Sequence, residues 1–257
     1  MESVQKLLRS INEYVRPVTF PVSVRLVAKG DSLPEKAKRP MADVGHKVSL
    51  CQGVALCRRY GWTVCFSEDD HACPLSVVML GFRLPDEMLN GEMAYPAYVG
   101  SLKAGANMEK LMSFLPIGTF EQIVFTPLHK ETQKPDLVLI YGNAAQISRL
   151  VQAANYKTGL GIAGKAFGRL ACSAYIAKPY LEKECSMVVP GGGERIFAHT
   201  QDDELVFSVP AEKFDDIAQG LEETHKRGVS RYPVTFSGLL AEPGFPSKYW
   251  DLVAKKE

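Results

Sequence analysis

Apolar residues Val4, Leu7, Leu8, Ile11 and Val15 recur at helical spacing through residues 1–16, and Pro17 stops the run. Alternation then takes over at Val22, Val24 and Leu26, predicting a strand within 21–30. A Lys- and Pro-rich stretch, 31–46, reads as loop. A helix is expected over 47–60, closed by Gly61, and a short strand in WTVCF (62–66). The polar run SEDDHACP (67–74) is a turn, with Pro74 placed to open a helix through Met79. Residues 81–116 are broken by Gly, Pro and Met and predict loop with one or two short helices.

In the second half, FEQIVFTPL (120–128) and PDLVLIYGN (135–143) read as strong strands. The latter is nearly all apolar and so is expected at the centre of a sheet. A helix follows over 144–156, then the glycine-bearing segment GLGIAGKAFGRLAC (159–172), a strand in SMVVP (186–190) and a hairpin-like turn in GGGER (191–195). ELVFSVP (204–210) predicts another strand. Phe214, Ile217 and Leu221 mark one face of an amphipathic helix within 211–228. Such alternation predicts an α/β or α+β fold in a single compact unit, 1–257. Tyr60 and Tyr156 each end a predicted helix, and Cys73 and Cys172 follow at a similar distance. That echo is consistent with two diverged halves, 17–116 and 117–230, built around mixed sheets.

Composition narrows the function classes. Thirty Lys and Arg against 29 Asp and Glu leave a net charge of +1, which gives no electrostatic reason to expect nucleic acid as a partner. No apolar run approaches the roughly 20 residues that span a bilayer. The N-terminal segment mixes charges with its apolar residues, unlike a signal peptide. A cytoplasmic protein is the expectation, with thiols or metal ligands in preference to disulfides.

Six cysteines stand at 51, 57, 65, 73, 172 and 185, and no C-x-x-C pair occurs among them. A metal site would therefore be assembled from distant segments. Cys57 shares a helix face with Leu50 and Val54, and Cys65 lies between apolar neighbours; both read as core. Cys51 is rotated off that face near a predicted helix start, where a thiolate is favoured. Cys73 precedes the proline-started helix, with His71 two residues before it as ligand, base or supporting partner. Gly159, Gly161 and Gly164 fit G-x-G-x-x-G literally. The run follows a helix and not a strand, so a dinucleotide site is not expected.

P-V-S-V-R-L (21–26), C-Q-G-V-A-L-C-R (51–58), D-H-A-C-P (70–74) with L-G-F (80–82), the glycine run ending in A-C, and D-E-L-V-F-S-V-P (203–210) together resemble domain-of-unknown-function family 169, the ArCR group. The resemblance covers about residues 15–230. It implies a prokaryotic protein, often from anaerobes, with no agreed activity. Carried over, it points to Cys51, Cys73 and Cys172, the cysteines lying off the apolar stripes, and matches Cys185 poorly.

Three thiolates from separate segments suit a [4Fe–4S] cluster with one open iron, in a redox or substrate-activating role. Gly161 and Gly164 are then expected to bring backbone N–H groups to the cluster, with Gln52, Asn155, Tyr60 and Tyr156 as polar neighbours. The alternatives are zinc on the three thiolates with or without His71, a thiol enzyme using Cys51 or Cys73 with His71 as base, and a non-catalytic binding module. The expected partners are a small-molecule substrate or an electron-transfer protein, with neither nucleic acid nor membrane; the sequence does not give the oligomeric state.

Overall fold

The computed structural model describes residues 1–83, 87–164, 166–230 and 247–254. Its frame is one six-stranded sheet, built from β1 (Val22–Val27), β2 (Val64–Ser67), β3 (Gln122–Pro127), β4 (Leu137–Gly142), β5 (Ser186–Val188) and β6 (Leu205–Pro210). The spatial order is β2-β3-β1-β4-β6-β5, and every neighbouring pair is antiparallel. The expected mixed sheet is therefore corrected to an antiparallel one. Alternating helix and strand led to that expectation because β1 and β2 do run the same way through a helical crossover. β3 then inserts between them, antiparallel to both, and β6 does the same between β4 and β5. The apolar β4 is central, as its composition predicts.

Each half of the sheet is threaded in the same order: inner strand, outer strand, then the strand between. A division at 116–117 would separate β3 from its neighbours β1 and β2, whereas strand order places the break between β3 and β4.

Both faces of the sheet are covered. Helices α1 (Glu2–Ser10, extended by a wider turn Ile11–Val15), α6 (Ala144–Asn155) and α9 (Phe214–Lys226) cover one face. Leu7, Ile11, Leu150, Phe214 and Leu221 bury themselves there against Val138, Ile140, Phe207 and Val209. Each fully buried side chain of this size contributes about 1.5–3 kcal/mol. On the other face, α2 (Leu50–Tyr60) and a helix over 171–182 pack on Val22, Val24, Phe125, Leu139 and Tyr141. That second helix contains a wide turn, Ser173–Ala177, before its last stretch, α7 (Lys178–Glu182). The helices ending at Tyr60 and Tyr156 thus lie on opposite faces of the sheet.

Three shorter helices complete the cysteine-bearing face: α3 (Pro74–Met79), α5 (Leu102–Glu109) and α8 (Gly192–Ala198), while α4 (Glu87–Asn90) lies in the segment leading to α5. α8 replaces the hairpin turn expected in GGGER. The Glu194 carboxylate reaches back and accepts from the Gly191 N–H at 3.1 Å, satisfying a donor at the helix start. No helix among the described residues is long and apolar enough to cross a membrane. Of the aromatic-rich C-terminal segment 232–253, only α10 (Ser247–Ala254) falls in the described residues.

Candidate functional site

Cys51 enters the structure through the cap of α2. Ser49 Oγ accepts from Gln52 N at 3.3 Å, and Gln52 Oε1 accepts from Ser49 N at 2.7 Å, so the helix starts at Leu50 and not at 47. That reciprocal cap holds Cys51 in the first turn, its sulfur 3.1 Å from Ser49 Oγ. Cys73 is the residue immediately before α3. Cys172 lies in the first turn of the 171–182 helix, just before the wide turn, and Leu170 reaches that start through a left-handed φ of 47°.

The sulfur-bearing residues Cys51, Cys73 and Cys172 line one cavity of about 520 Å³, together with Glu194, Arg169 and Tyr175. The three thiols and Glu194 are near enough to perturb one another. Burial pushes the Cys51 thiol up to about 11, and the neighbouring Glu194 and Cys73 add to it against the hydrogen bond to Ser49. Burial also carries Cys172 well above its ordinary value, with Cys73, Glu194 and Cys51 acting in the same direction. Glu194 is raised by burial despite donors from Gly191 and Tyr141, whose hydroxyl donates at 3.2 Å. Thiols in such a place stay protonated until a cation enters, and a bound metal would release their protons.

Cys57 and Cys65 are buried completely, in two different clusters of the core, as their apolar settings predict. Cys185 packs against the α1–α6–α9 side of the sheet.

The other sequence candidates divide. Gln52 lines the cavity, with its amide oxygen engaged in the α2 cap. His71 borders a neighbouring hollow instead, with Lys47, Asp69 and Arg83; Ala72 and Pro74 line both spaces. Its ring lies between Phe66 and Phe82, and burial lowers it to about 4, so the imidazole is neutral. Ser76 Oγ donates to the Cys73 carbonyl at 2.7 Å, so His71 Nδ1, 2.8 Å away, donates to Ser76. His71 thereby steadies the Cys73 turn from behind.

Gly161 is exposed, with open space where a Cβ would stand, and Gly164 faces Met187 at the edge of a smaller cavity. Asn155 ends α6, whose apolar face packs on the opposite side of the sheet, and accepts from Gly159 N. Tyr60 is exposed, and Tyr156 bonds Glu223 and Arg227 on that far side. The glycines that do approach the cysteines are Gly191 and Gly193. Gly193 accepts weakly from the Cys51 thiol at 3.9 Å, and a Cβ on Gly191 would meet the Gly168 carbonyl at 2.8 Å.

Sequence reasoning missed Glu194, Arg169 and Tyr175. Only Glu194 carried a local signal, a carboxylate three residues after a glycine at a helix start. Arg169 and Tyr175 owe their place to tertiary packing. Among the described residues, no group of three or more His, Cys, Asp or Glu converges closely enough to grip a single metal ion. The three thiols instead border a volume. A cubic cluster needs that spread, since each thiolate binds its own iron and the sulfurs then stand roughly 6–7 Å apart.

Comparison with known proteins bears on the same segments. An uncharacterised protein of Methanocaldococcus jannaschii is 26% identical over 206 residues, spanning 78% of this chain and 86% of that one. No solved structure is a significant match. The family of uncharacterised ArCR proteins, domain of unknown function 169, matches residues 10–220, a span that holds the sheet and all three cavity cysteines. The chain belongs to that family.

Proposed function

We propose that the protein holds an iron–sulfur cluster of the [4Fe–4S] type through Cys51, Cys73 and Cys172, with one coordination position left open toward the cavity, in a redox or substrate-activating role. The observation that carries this reading is the gathering of three thiols, from segments far apart in sequence, around one cavity of about 520 Å³. When bound, such a cluster supplies an electron and an iron able to take a substrate atom. The chain's own residues supply the rest. Ser49 and Gln52 fix the Cys51 turn, His71 and Ser76 fix the Cys73 turn, and the apolar walls Leu170, Ala171 and Phe197 keep water from the sulfurs. We read the protein as cytoplasmic, serving a small molecule or an electron-transfer partner.

The thiol-enzyme alternative has less support. A nucleophilic cysteine needs a lowered pKa and a base in reach, whereas burial raises Cys51 and Cys172 and His71 faces another hollow. Zinc on the three thiolates remains the metal competitor.

Anaerobic purification with iron, sulfide and zinc analysis tests the reading. Iron and acid-labile sulfide near four per chain and broad visible absorbance are expected for a cube of four irons and four sulfides. Cys51→Ser, Cys73→Ser and Cys172→Ser should each lose most of that iron, and Cys57→Ser should keep it. A colourless protein with stoichiometric zinc, or one that binds no metal, would refute the cluster.

A further inference from the structure

Arg169 is the most deeply buried cation bordering the cysteine cavity, its side chain 1% exposed, and it is paired with Glu109, which is 0% exposed. The pairing uses only one end of the guanidinium: Nη1 donates to Glu109 Oε1 at 3.2 Å. Glu109 spends its other oxygen on the Gly91 N–H at 3.1 Å. Nε and Nη2 of Arg169 have no hydrogen-bond partner. These two nitrogens carry the parallel N–H groups on one edge of the guanidinium plane, the edge that matches both oxygens of a carboxylate.

A buried donor left unmade costs about 1–3 kcal/mol, more when it is charged, so two on one arginine call for a ligand. Their side of the molecule is given by Tyr98. The guanidinium carbon lies 5.0 Å from the centre of its ring, and Tyr98 lines the cysteine cavity and not the smaller cavity beyond Arg169. The remaining wall is largely apolar, with Met93, Leu170, Ala171 and Phe197, which suits a ligand with a short hydrocarbon or aromatic body.

We propose that the Nε and Nη2 edge of Arg169 anchors the carboxylate of a small organic acid within the cavity, its body directed among the apolar residues and toward the cysteines. As the substrate class of a reactive centre, this rests on the cluster reading above. As a binding site, it is tested apart from it. Glu109 already neutralises the arginine on its far side and fixes its rotation, so the free edge is pre-organised and the ligand need not order it.

The test uses the purified full-length protein, with metal content measured on the same sample. Benzoate is titrated by calorimetry, with benzamide as the neutral isostere and inorganic phosphate as a competing oxyanion. Benzoate is expected to bind and benzamide to bind at least tenfold more weakly, with phosphate excluded by the apolar wall. Arg169→Lys keeps the charge beside Glu109 but loses the fork, and should weaken benzoate tenfold or more while leaving the fold intact. The paired variant Glu109→Gln/Arg169→Gln removes both charges together and guards against misfolding from an unpaired carboxylate; it should lose benzoate as well. The Cys51→Ser/Cys73→Ser/Cys172→Ser variant should lose metal and retain benzoate, which separates failure of the cluster from failure of the anchor. Equal binding of benzoate and benzamide, unchanged affinity in Arg169→Lys, preference for phosphate, or no benzoate binding up to roughly 10 mM would overturn the proposal.

Discussion

Glu204→Gln probes the support beneath the cavity. Arg58 of α2 is 1% exposed and is clamped by Glu204 through two hydrogen bonds, Nη1 to Oε1 at 2.6 Å and Nη2 to Oε2 at 2.9 Å. Its guanidinium carbon lies 4.1 Å from the centre of the Tyr141 ring, and Tyr141 donates to Glu194 at the cavity wall. Glutamine keeps the shape and one acceptor but strands the buried arginine charge. Removing one partner of a buried pair costs about 3–5 kcal/mol. Glu204 is 12% exposed and Gln would still accept from Arg58, so the low end, about 3 kcal/mol, is expected. For a chain of this size each kcal/mol moves Tm by about 2–4 °C, so the loss at pH 7 should be about 6–12 °C.

The pH dependence carries a sign. Burial alone would raise the Glu204 carboxyl, but the hydrogen bonds and charge of Arg58 overcome it and hold the folded value below the ordinary one. The folded pKa is depressed, so the stabilisation is fully present above the unfolded value near 4.3 and is lost as pH falls through the folded value. Differential scanning calorimetry of both proteins at neutral pH and at about pH 3 should therefore show a gap that narrows in acid. A Glu204→Gln protein melting within about 1 °C of the wild type at pH 7 would refute the claim that Arg58 depends on this carboxylate.

Two further predictions concern packing. Cys57→Ser should cost about 1–3 kcal/mol, because the hydroxyl enters a fully apolar cluster; Cys65→Ser should cost less, since Gln122 Oε1 already lies 3.0 Å from its sulfur and would accept the hydroxyl. Urea unfolding compares the two, and an equal loss would contradict that ordering. Gly220→Ala should destabilise by about 1–3 kcal/mol, because a Cβ in α9 would stand 2.2 Å from the Ala153 carbonyl oxygen of α6 and push the two helices apart. A thermal melt unchanged from wild type would show that those helices are free to separate.

Residue pattern alone determined much of this protein. Period 3.6 in α1 and α9, the alternation of β1 and the unbroken apolar run of β4 are local signals, because each element buries a face dictated by its own geometry. The same logic assigned Cys57 and Cys65 to the core and singled out Cys51, Cys73 and Cys172 as lying off it. What the pattern did not contain was the partner of each strand. Inserting β3 between β1 and β2, and β6 between β4 and β5, is decided by which faces pack, and it turned an expected mixed sheet into an antiparallel one.

The site divides along the same line. Three cysteines around one cavity agree with the sequence reading, but only long-range packing placed His71 behind its turn, Asn155 across the sheet and Gly161 in solvent. Packing alone, too, brought Arg169 and Tyr175 to the wall from a helix start far along the chain from α2. A side chain's own neighbours set its secondary structure, but a cavity is made by segments whose contacts carry no trace in local spacing. An arginine with two free donors looks like any other until the fold has taken its water away.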